Sequence, residues 1–172
     1  MGKRLKKSRY ITGFDGIRTI AVIGVILYHL APYQFQGGFL GVPIFFVVSG
    51  YLITDLLFQE WQQNRRIDIK GFYIRRMKRL YPALVTLVLV TTAYITLFAR
   101  DLLTNIRAII VTNFLYVYNW FQVAHHESYF DKFGTQSPFT HLWSLSIEGQ
   151  FYLFWPIIIL LLLKFVKKKQ PI

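Results

Sequence analysis

Four long stretches of this chain are almost free of charge, and clusters of cations lie beside them. They cover residues 17–30 (extendable to 33), 39–58, 80–99 and 142–163. The third has no charged residue, the second only Asp55 and the fourth only Glu148. Each approaches the ~20 residues that a helix needs to cross a bilayer core. Inside that core the backbone must satisfy its own hydrogen bonds, which leaves helices and closed barrels. The expected fold is therefore an all-α integral membrane protein, a polytopic helical bundle with four spans.

Charge gives the orientation. The net charge is +12, from 20 Lys and Arg against 8 Asp and Glu. Most of the cations fall in three clusters: residues 3–9, 65–79 and 164–169. Basic segments beside apolar runs report cytoplasmic placement, so both termini are expected in the cytoplasm, with the protein in a bacterial plasma membrane. No basic segment outside the membrane is long enough to fold alone, which argues against a nucleic-acid partner. The division reads as a basic N-terminus (1–10), a membrane domain (11–166) and a basic tail (167–172). Residues 1–30 imitate a signal peptide, but Arg18 interrupts the apolar run and Ala31-Pro32-Tyr33 lacks a small-x-small cleavage pattern. A retained span is expected. Cysteine is absent, which removes disulfides and thiolate chemistry, and no metal site is expected.

Residues 108–124 are uncharged but dotted with Thr112, Asn113, Asn119 and Gln122. If they crossed, the cations at 167–169 would face outside. The favoured reading is a short re-entrant or interfacial helix over 108–120, with five spans as the alternative. Residues 125–140 read as an outer loop, and Pro82 suits the first turn of its helix.

Ionisable residues inside a span are expensive and mark function. Arg18 and His29 are eleven residues apart. Eleven helical steps of about 100° end within about 20° of whole turns, about 16 Å along the axis. Asp15 stands three residues before Arg18 and can pair with it. His29 reads either as hydrogen-bonding glue between helices or as a general base or transient acyl acceptor.

Three further blocks carry polar chemistry. Ser49-Gly50, within 45–52, offers a small patch for a close helix or a thin acyl chain, and 37–41 reads as a flexible glycine turn before it. In 75–82, Arg75, Arg76 and Arg79 fall at i, i+1 and i+4. They form either a topogenic arm that binds lipid head groups or a phosphate clamp, with Arg75 and Arg79 on one face. In 141–152, His141, Ser144, Glu148 and Tyr152 line one helical stripe. Glu148 could there orient His29 or take a proton from an acceptor hydroxyl.

With these four blocks in order over residues 10–159, the chain resembles the N-terminal part of the acyltransferase 3 family, polytopic membrane O-acyltransferases that include peptidoglycan O-acetyltransferases. Ile11 to Arg18 with His29 is similar to the family's Arg-x10-His signature. The resemblance implies acyl transfer, usually of acetyl, from cytoplasmic acyl-CoA as donor substrate to a cell-surface glycan hydroxyl. It makes His29 the essential histidine and Arg18 its partner. Arg75, Arg76 and Arg79 would stand on the donor side, and Glu148 nearer the acceptor, with Ser49, His141 and Ser144 as further candidate binding residues. The chain departs from the family in two ways. It has Glu148-Gly149-Gln150 where the family usually has Glu-Glu-Gln, and four spans where members have about ten. The expectation is a truncated domain whose activity alone is an open question, with membrane lipids and a complementary C-terminal half or homologue as partners. A non-catalytic subunit or remnant is the alternative, and a proton or solute transporter the third reading.

Overall fold

The computed structural model describes residues 12–31, 33–125 and 137–168. The basic N-terminus expected at 1–10, most of the outer loop expected at 125–140 and the tail from 169 on lie outside them. The elements are α1 (Thr12–Leu30), a 3-10 turn (Gln36–Leu40), α2 (Gly41–Asn64), α3 (Ile69–Phe98), α4 (Ile106–Phe114), α5 (Tyr118–Ala124) and α6 (Trp143–Lys168), with 3-10 turns before α4 and α6. No strand occurs among the described residues. Four helical stretches are long and apolar enough to cross a membrane: Gly13–Leu30, Gln36–Asn64, Ile69–Phe98 and Thr140–Phe165. The expectation of an all-α membrane protein with four spans is borne out.

The chain divides into two compact units, one of residues up to Ile67 with those from Leu162 on, the other of Asp68–Leu161. In the first, α1 packs against the 3-10 turn and α2. Glycine sets the approach: a Cβ on Gly38 would overlap the Gly24 carbonyl, and one on Gly41 would overlap the Ala21 carbonyl. Backbones this close need residues without side chains. Phe14 against Tyr51, with ring centroids 5.1 Å apart, continues the antiparallel seam. The glycine stretch expected to be a flexible turn is thus a packed 3-10 turn. Ser49 is buried, but these close backbone approaches fall at Gly24–Gly38 and Ala21–Gly41.

In the second unit, α3 starts earlier than its apolar run. The Asp68 carboxylate accepts a hydrogen bond from the Gly71 N–H at 2.9 Å, satisfying one of the donors that a helix start leaves open. Most of the basic cluster at 65–79 is therefore helical, ahead of the apolar run that begins at residue 80. Pro82 consequently lies mid-helix rather than in a first turn. Having no N–H, it leaves the Lys78 carbonyl without its usual helical donor.

The core of this unit joins Leu84, Val88 and Ile95 of α3 to Ile109, Tyr118, Phe139 and Leu142. Helices α4 and α5, of 9 and 7 residues, are too short to cross a bilayer. The polar residues in this uncharged stretch are explained by local bonds. Asn113 donates to the Ile109 carbonyl at 2.8 Å, and Gln122 to the Thr140 carbonyl at 3.3 Å. The break between the two helices is Tyr116, at φ 55°, an uncommon conformation for a bulky residue.

Candidate functional site

Arg18, His29 and Ser49 belong to the first unit. Arg18 and His29 lie on the single uninterrupted helix α1, so the one-face relation expected from their spacing holds. Arg18 is half-buried and His29 exposed. The His29 Nδ1 lies 2.8 Å from the Val25 carbonyl oxygen. A carbonyl only accepts, so in the neutral ring Nδ1 carries the proton and the lone pair sits on Nε2. That is the tautomer a base or nucleophile working through Nε2 requires. Ser49, on α2, is buried.

The remaining candidates lie in the second unit, where the structure separates the arginines. Arg75 and Arg79 are exposed, one helical turn apart on one face of α3, whereas Arg76 is half-buried. Its guanidinium carbon lies 5.4 Å from the Phe72 ring centroid and 5.3 Å from that of Tyr152. Tyr152, buried on α6, donates its hydroxyl to the Glu148 carboxylate. Of the stripe expected over 141–152, Glu148 and Tyr152 meet on α6, and Arg76 lies against Tyr152. Ser144 donates to the His141 carbonyl at 3.1 Å, and the His141 ring is on an exposed residue just ahead of α6.

Behind this pair lies a cavity of about 510 Å³ between α3, the α4–α5 break and α6. Tyr116 forms part of its wall. Its left-handed backbone is held by Gln150, whose amide donates to the Tyr116 carbonyl at 2.7 Å and to the Asn119 side chain at 2.8 Å. Its ring lies on Gly149, where any Cβ would overlap it. The Tyr116 hydroxyl is buried and has no hydrogen-bond partner among the described residues. Burial first, then the neighbouring Tyr81, Glu148 and Tyr152, push it up to about 12, so it keeps its proton at any physiological pH.

Tyr116, Gln150 and Tyr81 escaped the sequence reading. Tyr81 donates to the Phe114 carbonyl at 2.8 Å. One signal was present: Gly149 in the middle of an otherwise bulky helix marks close approach of another group.

Comparison with known proteins decides the family. Residues 11–170 match the family model described as an acyltransferase domain. The chain belongs to the acyltransferase 3 family. Its relatives include the peptidoglycan O-acetyltransferase OatA of Listeria monocytogenes, 48% identical over 162 residues, which cover 94% of this chain and 26% of that protein. A putative O-acetyltransferase of Staphylococcus aureus strain COL is 46% identical over 98% of this chain and 28% of its own length. The putative peptidoglycan O-acetyltransferase YrhL of Bacillus subtilis is 41% identical over 98% of this chain and 27% of its own length. The chain thus spans about a quarter of the length of these relatives. No solved structure matches it. A side chain at position 149 could be seated only if the Tyr116 ring moved.

Proposed function

We propose that this acyltransferase 3 chain takes part in membrane O-acetyl transfer, from acetyl-CoA to a hydroxyl of a cell-envelope glycan such as peptidoglycan. The observation that carries the reading is the His29 imidazole, held through Nδ1 so that Nε2 presents its lone pair. Acting as base, Nε2 takes the proton of the acceptor hydroxyl. The oxygen attacks the thioester carbonyl, the C–O bond forms, the C–S bond breaks, and the leaving thiolate takes the proton from the imidazolium. Acting as nucleophile, Nε2 instead attacks the thioester carbonyl and the C–S bond breaks with loss of thiolate; the acceptor hydroxyl then takes the acetyl group as the N–C bond breaks, and its proton goes to the thiolate. Arg18 partners His29 along α1. Arg75 and Arg79, exposed on one face, hold the donor phosphates. Glu148, bonded by Tyr152, serves the acceptor side, and Ser49, His141 and Ser144 are further candidate binding residues. Both termini face the cytoplasm, and a complementary C-terminal portion or homologue completes the enzyme.

The test is acetyl transfer from labelled acetyl-CoA in membranes containing this chain, with and without the C-terminal portion of a relative. Transfer in either arm that disappears with His29→Ala supports the proposal. Transfer unchanged by that substitution overturns the role of His29. No transfer in both arms, with the chain folded in the membrane, favours a non-catalytic subunit.

A further inference from the structure

The imidazole of His29 stands beside a surface with a chemistry of its own. Just after α1 the chain reads Tyr33-Gln34-Phe35-Gln36, and all four residues are exposed. Tyr33 keeps 79% of its surface open, and Phe39 is exposed as well. Neither glutamine forms a side-chain hydrogen bond among the described residues. Rings that alternate with amides suit a sugar. A ring covers the apolar C–H face of a pyranose, while each amide offers donors and an acceptor to its hydroxyls.

The patch is held in shape. The Ala31 carbonyl accepts the N–H groups of Gln34 and Phe35 at 3.0 and 3.1 Å, and the Phe35 carbonyl accepts that of Gly38 at 2.9 Å. Gly38 in turn lies against the Gly24 carbonyl and the Tyr28 side chain. Tyr28 links the turn to the imidazole: its ring centroid is 5.6 Å from that of His29 and 6.3 Å from that of Phe39. A surface fixed beforehand loses little freedom when a ligand arrives. Charge decides the class of ligand. No Asp, Glu, Lys or Arg occurs between His29 and Asp55, so this segment has nothing to hold the phosphates of a donor nucleotide. An aromatic belt facing lipid would account for the rings. It would not account for two exposed glutamines among them, since an amide in hydrocarbon lacks partners.

We propose that residues 33–39 form the acceptor subsite. Tyr33 and Phe35 stack on a neutral glycan, with Phe39 at the edge, Gln34 and Gln36 bond its hydroxyls, and His29 meets the hydroxyl to be acylated. The subsite rests on the acetyl-transfer reading above and on its orientation, in which α1 starts in the cytoplasm and ends toward the cell envelope.

The test exploits a chain without cysteine. Gly37 is exposed and a Cβ there would meet nothing within 4 Å, so Gly37→Cys puts a thiol beside the patch. Gln63→Cys, exposed near the far end of α2, is the control. Each is made in the full chain. Modification by a water-soluble maleimide is timed in washed, open membrane fragments with increasing amounts of the N-acetylglucosamine tetramer. The sugar is expected to slow modification saturably at residue 37 and to leave residue 63 unchanged. Tyr33→Ala and Phe35→Ala should each raise the half-protecting concentration about 2–10-fold, the scale of one lost ring contact. Gln34→Ala and Gln36→Ala should do so by a similar factor, and Tyr33→Trp should retain protection. Three results would overturn the proposal: no protection of a reactive thiol, protection that survives Tyr33→Ala combined with Phe35→Ala, or a thiol reached only by a lipid-soluble maleimide. The last would mark a membrane anchor instead. His29→Ala should preserve protection, since rings and amides hold the sugar. Protection without acetyl transfer therefore supports the subsite while counting against the His29 chemistry. Transfer without protection overturns the subsite and leaves His29 standing.

Discussion

The ring of Tyr116 rests directly on Gly149, so the α4–α5 break is seated on a bare patch of α6 backbone. Adding even a methyl group at 149 forces one of the two to move. Gly149→Ala is expected to destabilise the second unit by about 1–3 kcal/mol, the usual cost of overpacking. Combining it with Tyr116→Ala should recover part of that loss, because the two changes share one contact. Thermal unfolding in detergent, followed by circular dichroism as a double-mutant cycle, measures the coupling; strictly additive losses would contradict the contact.

The Tyr116 hydroxyl gives a prediction of opposite sign. A buried hydroxyl without a partner costs about 1–3 kcal/mol, so Tyr116→Phe should leave stability unchanged or raise it. The same residue sets an alkaline slope. Its folded value is pushed up to about 12 from 10.0. The folded state therefore keeps a proton that the unfolded state releases above about pH 10. Its contribution is fully present below that pH and is lost as pH rises toward the folded value. Melting temperatures should fall with pH over this window, and less steeply in Tyr116→Phe; equal slopes would refute the assignment.

For His29, the bond to Val25 separates orientation from chemistry. His29→Asn can retain a donor to the Val25 carbonyl but has no nitrogen at the Nε2 position. It should preserve helicity and lower acetyl transfer by about 10²–10⁴-fold, the usual contribution of a positioned base. Single-turnover assays in membranes check it, and a variant with near-normal rate would remove His29 from the chemistry.

The exposed pair Arg75 and Arg79 should act on donor affinity. Replacing both with glutamine is expected to raise KM for acetyl-CoA by about 10-fold or more, the scale of lost charge-assisted bonds. It should also flatten the dependence of KM on salt. An unchanged KM would return the pair to the role of a lipid-facing arm.

Gly38→Ala tests the first unit in the same spirit as Gly149. The atom in the way is the Gly24 backbone carbonyl, which cannot rotate aside as a side chain can. A lowered melting temperature and easier proteolysis between α1 and α2 are expected, and normal values would mean that the approach is looser than the geometry implies.

Much of the architecture was legible because it rests on local properties. The apolar runs gave the four spans, and the i, i+4 spacing placed Glu148 and Tyr152 in bonding reach on α6. The Arg18–His29 relation followed from helical phase alone. The start of α3 was missed because cations beside an apolar run look like a loop, whereas the Asp68 cap carries the helix through them. Pro82 was misplaced for the same reason. The division among Arg75, Arg76 and Arg79 was invisible, since three like residues within five positions differ only in what each one faces.

Taken alone, the sequence determined a helical membrane chain of the acyltransferase 3 family, with a histidine and an arginine in phase on its first helix. Hydrophobicity, charge and helical period act over a few residues, so they can be read along one dimension. Only the tertiary structure decided that Tyr73 reaches Leu153, 80 residues away, that Gln150 holds Tyr116, and that Arg76 turns from its neighbours toward Tyr152. Such choices depend on which surfaces fit without overlap and which polar atoms find partners, and those conditions exist only once distant segments have been brought together.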